Sequence, residues 1–214
     1  LHPAVQHHIV NDLGWRALRP LQEAAIDPLL DGEDGLLLAP TAGGKTEAAV
    51  FPVLSAMAAE DWRGSSVLYV CPLRALLNNL EHRAHGYATW LGRSAAVRHG
   101  DTGQAVRRRQ VVERPDVLLT TPESLESILV SATIDPRVVI ADVRAVIVDE
   151  VHAFAGDDRG WHLLAVLERL TRLNSRPVQR VGLSATVGNA PDLLRWLQGS
   201  SAGVRPAVVI APDT

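Results

Sequence analysis

Lysine is almost missing from this chain: Lys45 is the only one, and every other basic residue of the lysine and arginine total of 21 is an arginine. Cysteine is as scarce. The single Cys71 sits in the apolar run "VLYVC", which excludes a disulfide framework and a cysteine metal site and leads us to expect a buried thiol in a reducing, cytoplasmic setting. Long hydrophobic runs are lacking too. The longest, Ala48 to Ala59, is interrupted by Pro52 and Ser55 and falls short of the roughly 18 residues a membrane span needs, so no membrane partner is expected. Nor is there a charged start followed by an apolar stretch and a small-residue cleavage site, so nothing suggests secretion. Aromatic residues make up 4% of the chain, and Trp15, Trp62, Trp90, Trp161 and Trp196 are scattered without a recognisable stacking platform. A net charge of −3 excludes a uniformly basic nucleic-acid binder and leaves room only for a local patch.

What is present is apolar and regularly punctuated. With 214 residues, 47% of them hydrophobic, the chain can bury one sizeable core, and we expect a single domain over 1–214 with 1–18 as a helical lead-in. Strands are predicted near Gly35 to Ala39, Ser66 to Cys71, Ala95 to His99, Val117 to Thr120, Ala145 to Val148, Arg180 to Leu183 and Ala207 to Ile210. Helices are predicted near Pro20 to Leu30, Lys45 to Ala59, Arg74 to Leu91, Gly103 to Val112, Pro122 to Val130, Gly160 to Leu173 and Ala190 to Leu197. Strands such as "GLLLA" and "AVIVD" are continuously apolar, the pattern of strands covered on both faces. Strand followed by helix, repeated, predicts an α/β fold: a doubly wound, mostly parallel sheet flanked by helices, which binds ligands beyond the carboxyl ends of its strands.

The lone lysine falls at such an end. The chain uses arginine wherever a positive charge suffices, so Lys45 marks a place where a wide planar fork would not serve; a narrow cradle of amides around the β/γ-phosphates is such a place. Its surroundings, Ala39-Pro40-Thr41-Ala42-Gly43-Gly44-Lys45-Thr46, fit the phosphate-loop pattern G-x-x-x-x-G-K-[ST] except that alanine replaces the first glycine. Gly43 and Gly44 let successive amides face the phosphates, the helix beginning near Lys45 directs its positive end there, and Thr46 places a hydroxyl on Mg²⁺. After the strand at Ala145 to Val148 comes Asp149-Glu150-Val151-His152. Asp149 is expected to hold the magnesium and Glu150 to polarise an attacking water.

These motifs together resemble the superfamily 2 helicases and translocases of the DExH type, specifically their first RecA-like motor domain, and the likeness covers essentially the whole chain. Arg19-Pro20-Leu21-Gln22 resembles the Q motif, which implies that Gln22 reads adenine and selects ATP. "APTAGGKT" resembles motif I, so that Thr41, Ala42, Gly43, Gly44, Lys45 and Thr46 bind ATP, and "DEVH" resembles motif II. Ser184-Ala185-Thr186 resembles motif III, whose hydroxyls link the nucleotide site to strand movement. Pro72-Leu73-Arg74 resembles motif Ia and Thr121-Pro122-Glu123 motif Ib, with His99-Gly100 between them; the resemblance implies that these hold nucleic-acid backbone without reading bases. "HGDT", "TTPESL" and "DEVHAFAGDDRGWHLLAVLERL" resemble the Lhr-type group most closely, which implies ATP-driven 3′ to 5′ movement on single-stranded nucleic acid, DNA foremost and RNA as the alternative. A second RecA-like domain of the same chain, carrying arginine fingers, is implied as the partner that completes hydrolysis.

The sequence departs from the family at one point: Ala42 stands where glycine is usual. If that position requires a positive φ, alanine costs about 1 kcal/mol, and Gly43 is the residue placed to take over the turn. The histidines His2, His7 and His8 lack a metal-ligand pattern and are expected on an exposed helix face. His152 is expected to couple the nucleotide site to a neighbouring domain. Arg107-Arg108-Arg109 are expected on a solvated helix face, with phosphate contact as the alternative. A rival function, a nucleotide-gated clamp or scaffold that grips nucleic acid or protein without travelling, remains open at this level, while a phosphotransferase leaves the Ser-Ala-Thr and Asp-Glu pairs without a role.

Overall fold

The protein is described by a computed structural model that covers residues 1–40 and 42–211, so Thr41 and 212–214 lie outside the described residues. In chain order the elements are α1 (Pro3–Asn11), α2 (Pro20–Leu30), β1 (Asp34–Leu38), α3 (Lys45–Ala59), β2 (Val67–Val70), α4 (Arg74–Thr89), β3 (Ala95–Arg98), α5 (Gln104–Glu113), β4 (Val117–Thr120), α6 (Pro122–Leu129), α7 (Pro136–Ile140), β5 (Ala145–Val148), α8 (Asp158–Leu173), β6 (Gln179–Ser184), α9 (Ala190–Gln198) and β7 (Ala207–Ile210). Single 3₁₀ turns occupy Val151–Ala153 and Gly199–Ser201.

The strands form one parallel sheet in the order β3-β4-β2-β5-β6-β1-β7. Every residue of β1, β2, β4, β5 and β6 is buried, as expected of strands with helices on both faces. Two apolar cores result. One, around Phe51, Met57, Tyr69 and Leu77, joins α1 to α4 to one face; the other, around Leu36, Val146, Phe154 and Leu167, joins α6 to α9 to the opposite face.

Local chemistry explains where the helices begin. Proline occupies the first turn of α1, α2, α6, α7 and α9, where its missing N–H leaves no partner unsatisfied and its fixed φ suits the helix. Thr121, Asp135 and Asp157 cap α6, α7 and α8 by accepting backbone N–H groups. The helix α7 has no counterpart in the sequence reading. At five residues it is too short to show a period, although the Asp135-Pro136 pair is the start signal that could have revealed it. The expected helical lead-in over 1–18 is helical only at Pro3–Asn11, and the two 3₁₀ turns were not expected; the other elements differ from expectation only at their ends. Among the described residues no helix is long and apolar enough to cross a membrane.

This topology positions the chemistry. The strands β1 and β5 flank β6, so the segments leaving Leu38, Val148 and Ser184 emerge side by side at one rim.

Candidate functional site

At that rim a cavity of about 450 Å³ is lined by Gly43, Gly44, Lys45 and Thr46 from the loop after β1 and by Asp149 and Glu150 from the end of β5. The loop is bent at two points. Ala42 itself has a φ of 65° and Gly44 one of 79°, whereas Gly43 is not left-handed. The expectation that Gly43 would take over the turn is therefore corrected: alanine accepts the left-handed conformation. Gly43 is needed for space, because a Cβ there would lie 2.6 Å from Ala39 Cβ and 2.9 Å from the Pro40 carbonyl oxygen. Lys45 Nζ donates to the carbonyls of Ala39 (2.8 Å) and Pro40 (3.2 Å), which holds the ammonium across the loop.

Gln22 is buried and its amide joins α2 to this loop. Its Oε1 accepts the Arg19 N–H at 3.0 Å and its Nε2 donates to the Gly44 carbonyl at 3.3 Å. Among the described residues, one N–H and one lone pair of the amide remain for another partner. Arg19 donates to the Ala42 carbonyl as well, so the turn before α2 and the loop before α3 brace each other.

The carboxylates are also held. Tyr69 Oη donates to Asp149 Oδ2 at 2.9 Å, and the Glu150 N–H donates to Asp149 Oδ1 at 2.9 Å. Burial raises the Asp149 pKa above the ordinary carboxylate value; the Tyr69 hydrogen bond opposes that shift, the Glu150 charge adds to it and the Lys45 charge opposes it. The Tyr69 phenol, pushed well above its ordinary value by burial and then by the Asp149 charge, remains a donor beside the Thr46 hydroxyl. Thr46 and Asp149 thus present hard oxygens at one place, a donor set that fits Mg²⁺. Glu150 has a φ of 49°, left-handed for a non-glycine residue, and begins the 3₁₀ turn that carries His152.

His152 reaches across to β6. The Ala185 N–H donates to His152 Nδ1 at 3.3 Å, Ser184 Oγ lies 3.1 Å from the same nitrogen, and Glu150 Oε2 lies at 3.4 Å. The ring thereby links the end of β5 to the end of β6 within this fold. Thr186 is exposed and its hydroxyl has no hydrogen bond among the described residues. Thr41, expected in the loop, lies outside the described residues.

Trp15, Glu47, Arg83 and Tyr87 also line this cavity, and sequence reasoning missed them. Glu47 is buried against Arg83 and accepts from Tyr87 Oη at 2.8 Å, which fixes α4 over α3 beside the loop. No local pattern announces such contacts, since they depend on how two helices pack.

A second, larger cavity of about 770 Å³ forms a groove further along the same rim. Pro72, Arg74, Gly100, Thr121 and Glu123 line it, as the sequence suggested for strand contacts. His99 and Pro122 do not: the His99 ring accepts the Asp101 N–H at 3.2 Å, and Pro122 is buried at the start of α6. The Thr121 hydroxyl is the cap of α6, accepting the Ser124 N–H at 3.3 Å. Arg107 departs from the solvated face expected of it. It lines the groove and donates to the carbonyls of Thr102 (2.8 Å), His99 (3.2 Å) and Gly100 (2.8 Å), while Arg108 and Arg109 are exposed. Of the expected histidine face on α1, His7 is exposed, but His8 stacks on Trp90 with the rings 5.2 Å apart.

Comparison with known proteins adds the following. The DEAD/DEAH box helicase family model matches residues 19–194. The Lhr helicase/probable uracil glycosylase of Mycolicibacterium smegmatis is 40% identical over 213 residues, a match covering 92% of this chain and 14% of that protein. The ATP-dependent helicase Lhr-Core of Methanothermobacter thermautotrophicus is 37% identical, with 85% and 23% covered. The structure of Mycobacterium smegmatis helicase Lhr bound to ssDNA and AMP-PNP superposes with a TM-score of 0.87 at 36% identity, covering 99% of this chain and 28% of that one. The chain therefore spans between a seventh and a quarter of the length of these curated relatives.

Proposed function

We propose, on the premise that this chain belongs to the DEAD/DEAH box helicase family, that it is the first RecA-like motor domain of a nucleic-acid-dependent ATPase that couples ATP hydrolysis to movement along single-stranded DNA or RNA. The observation that carries the reading is the meeting of Lys45, from the loop after β1, with Asp149 and Glu150, from the end of β5, in one cavity.

Each residue then has a task that its position supports. Lys45 moves from the loop carbonyls to the β/γ-phosphates, and the amides of Ala42 to Lys45 with the start of α3 supply further positive potential. Gln22 offers its remaining donor and acceptor to the adenine edge, and Thr41, from the motif Ala39 to Thr46, is a further ATP contact. Thr46 and Asp149 would hold Mg²⁺, which when bound neutralises phosphate charge. Glu150 orients the attacking water. His152, in contact with Ser184 and the Ala185 N–H, carries a change at Glu150 to β6, with Thr186 exposed beyond it.

The second RecA-like domain of the longer protein would complete hydrolysis by adding arginines, and residues 1–214 act as a single unit against it. Arg74, Gly100, Thr121 and Glu123 hold strand backbone in the neighbouring groove, with His99 and Pro122 shaping its turns from behind. This reading places the protein in the cytoplasm, where ATP and nucleic acid occur together.

The test is the ATPase rate of the full-length protein with and without single-stranded DNA or RNA. Stimulation by nucleic acid is expected. Nucleotide-dependent grip on the strand without turnover would replace the motor by a clamp.

A further inference from the structure

Lys45, Thr46 and Glu47 follow one another in the first turn of α3, and successive side chains on a helix point about 100° apart. Each therefore meets a different neighbour. Lys45 turns back to the carbonyls of Ala39 and Pro40, Thr46 meets Tyr69 on β2, and Glu47 meets α4. All three line the cavity of about 450 Å³, so the wall towards α4 carries a carboxylate of its own, beyond Asp149 and Glu150.

The Glu47 side chain is only 6% exposed, and two donors from α4 hold it: Arg83, and Tyr87 Oη at 2.8 Å. Both bonds fall on Oε1. Oε2 accepts no hydrogen bond among the described residues, and Glu47 shares the cavity wall with Tyr87 and Trp15. This wall is firmly backed. Phe51, one turn further along α3, has its ring centre 6.0 Å from that of Trp15 and 5.3 Å from that of Tyr87, so one core residue supports both aromatic groups. A clip between α3 and α4 accounts for the two bonds on Oε1. It gives Oε2 no role.

What Oε2 can receive follows from its charge. A carboxylate only accepts hydrogen bonds, and it repels phosphate oxygens. A nucleotide carries few donors: the amino group of its base and the hydroxyls of its sugar. In the reading above the base falls to Gln22, whose Oε1 keeps a lone pair beside its bond from the Arg19 N–H. The sugar hydroxyls remain. A sugar is also what the connectivity of a nucleotide places there, because it joins the phosphates held by Lys45 and Thr46 to the base, and Glu47 is the next residue of α3.

We propose that Glu47 is a specificity residue: its Oε2 accepts a hydrogen bond from a ribose hydroxyl of the bound nucleotide, while Arg83 and Tyr87 hold the carboxylate in place through Oε1. The inference rests on the nucleotide reading of this cavity and deepens it by naming the residue that distinguishes ribose from deoxy sugars. A sugar without that hydroxyl forfeits one charge-assisted hydrogen bond.

The experiment uses isothermal titration calorimetry on the full-length protein and its Glu47→Gln and Glu47→Met variants, in Mg²⁺, with ADP, 2′-deoxy-ADP, 3′-deoxy-ADP and 2′,3′-dideoxy-ADP, none of which has a γ-phosphate to lose. The wild type should bind ADP about 10-fold or more tighter than the dideoxy analogue, the worth of a hydrogen bond to a charged group. The two monodeoxy analogues show which hydroxyl is held. In Glu47→Gln the amide oxygen keeps the bonds from Arg83 and Tyr87 and an uncharged group faces the sugar, so the preference should fall to about 3-fold or less. In Glu47→Met, which removes both oxygens, it should vanish. Dideoxy-ADP should bind Glu47→Gln as it binds the wild type, which also shows that the variant folds with its site intact. Variants that keep the wild-type preference, or a wild type that has none, overturn the inference and leave the nucleotide site standing. Equal weakening of all four nucleotides does the same, since loss of a helix clip alone has no means of telling one sugar from another. Failure of the wild type to bind any of the four overturns both readings.

Discussion

Tyr69 Oη donates a 2.9 Å hydrogen bond to Asp149 Oδ2, joining two residues that lie 80 positions apart in the chain. The bond crosses from β2 to the end of β5, its neighbour in the sheet, so a residue with no titratable role at neutral pH orients the carboxylate on which the metal reading depends.

Tyr69→Phe keeps the ring in the core and removes only this donor. A buried hydrogen bond to a charged group contributes about 1.5–3 kcal/mol, so the variant should lose stability of that order in urea titrations. Its fluorescent-nucleotide affinity should also require more Mg²⁺ to reach half-saturation. An unchanged Mg²⁺ requirement would remove Tyr69 from the metal site while leaving its structural role.

Asp149→Asn should change how stability depends on pH. The Asp149 pKa is raised in the fold, chiefly by burial, above the ordinary 3.8. The folded state therefore holds its proton more tightly than the unfolded chain; the favourable contribution is complete below 3.8 and is lost as pH rises through the raised value. Asn does not titrate. The melting temperature of Asp149→Asn minus that of the wild type should thus become more positive from acid towards neutral pH, and a difference that falls over that window would contradict the assignment.

Ala42 and Gly44 both have positive φ, with opposite consequences for substitution. Ala42→Gly relieves about 1 kcal/mol of left-handed strain, partly offset by the greater freedom of glycine when unfolded, so a small gain in stability is expected. Gly44→Ala should lose more than 1 kcal/mol or so, because a Cβ there would also lie 2.6 Å from Gln22 Nε2. Denaturant titrations of the pair decide whether the bend belongs to both residues.

Lys45→Ala removes an ammonium whose hydrogen bonds, among the described residues, are to the loop carbonyls of Ala39 and Pro40. Circular dichroism should be unchanged, and ATP affinity should fall by about 100-fold, the equivalent of about 3 kcal/mol for charge-assisted contacts. Equal ATP affinity in variant and wild type would displace the nucleotide from this cavity.

Much of this was readable along the chain. Continuous apolar runs such as Gly35 to Ala39 declared strands buried on both faces, and Gly43-Gly44-Lys45-Thr46 declared a phosphate loop because its requirements are local: bends, bare amides and one cation within a few residues. Other features escaped for equally physical reasons. Tyr69 stood only as part of the apolar strand Ser66 to Cys71 and Arg83 only as part of the helix Arg74 to Leu91, since what each touches belongs to a distant segment. Arg107 illustrates the same limit, as one arginine in a run of three that a turn of carbonyls singles out.

The order of residues by itself determined that strands and helices would alternate, that they would stack as a parallel sheet, and that a lysine and a pair of acids would leave strand ends, because backbone geometry and hydrophobic spacing act over short range. Only the folded molecule decided which ends lie side by side, that alanine accepts the left-handed bend, and that the Tyr69 hydroxyl meets Asp149. Those outcomes depend on which polar groups meet once water is excluded, and that is fixed by packing between elements that the chain keeps far apart.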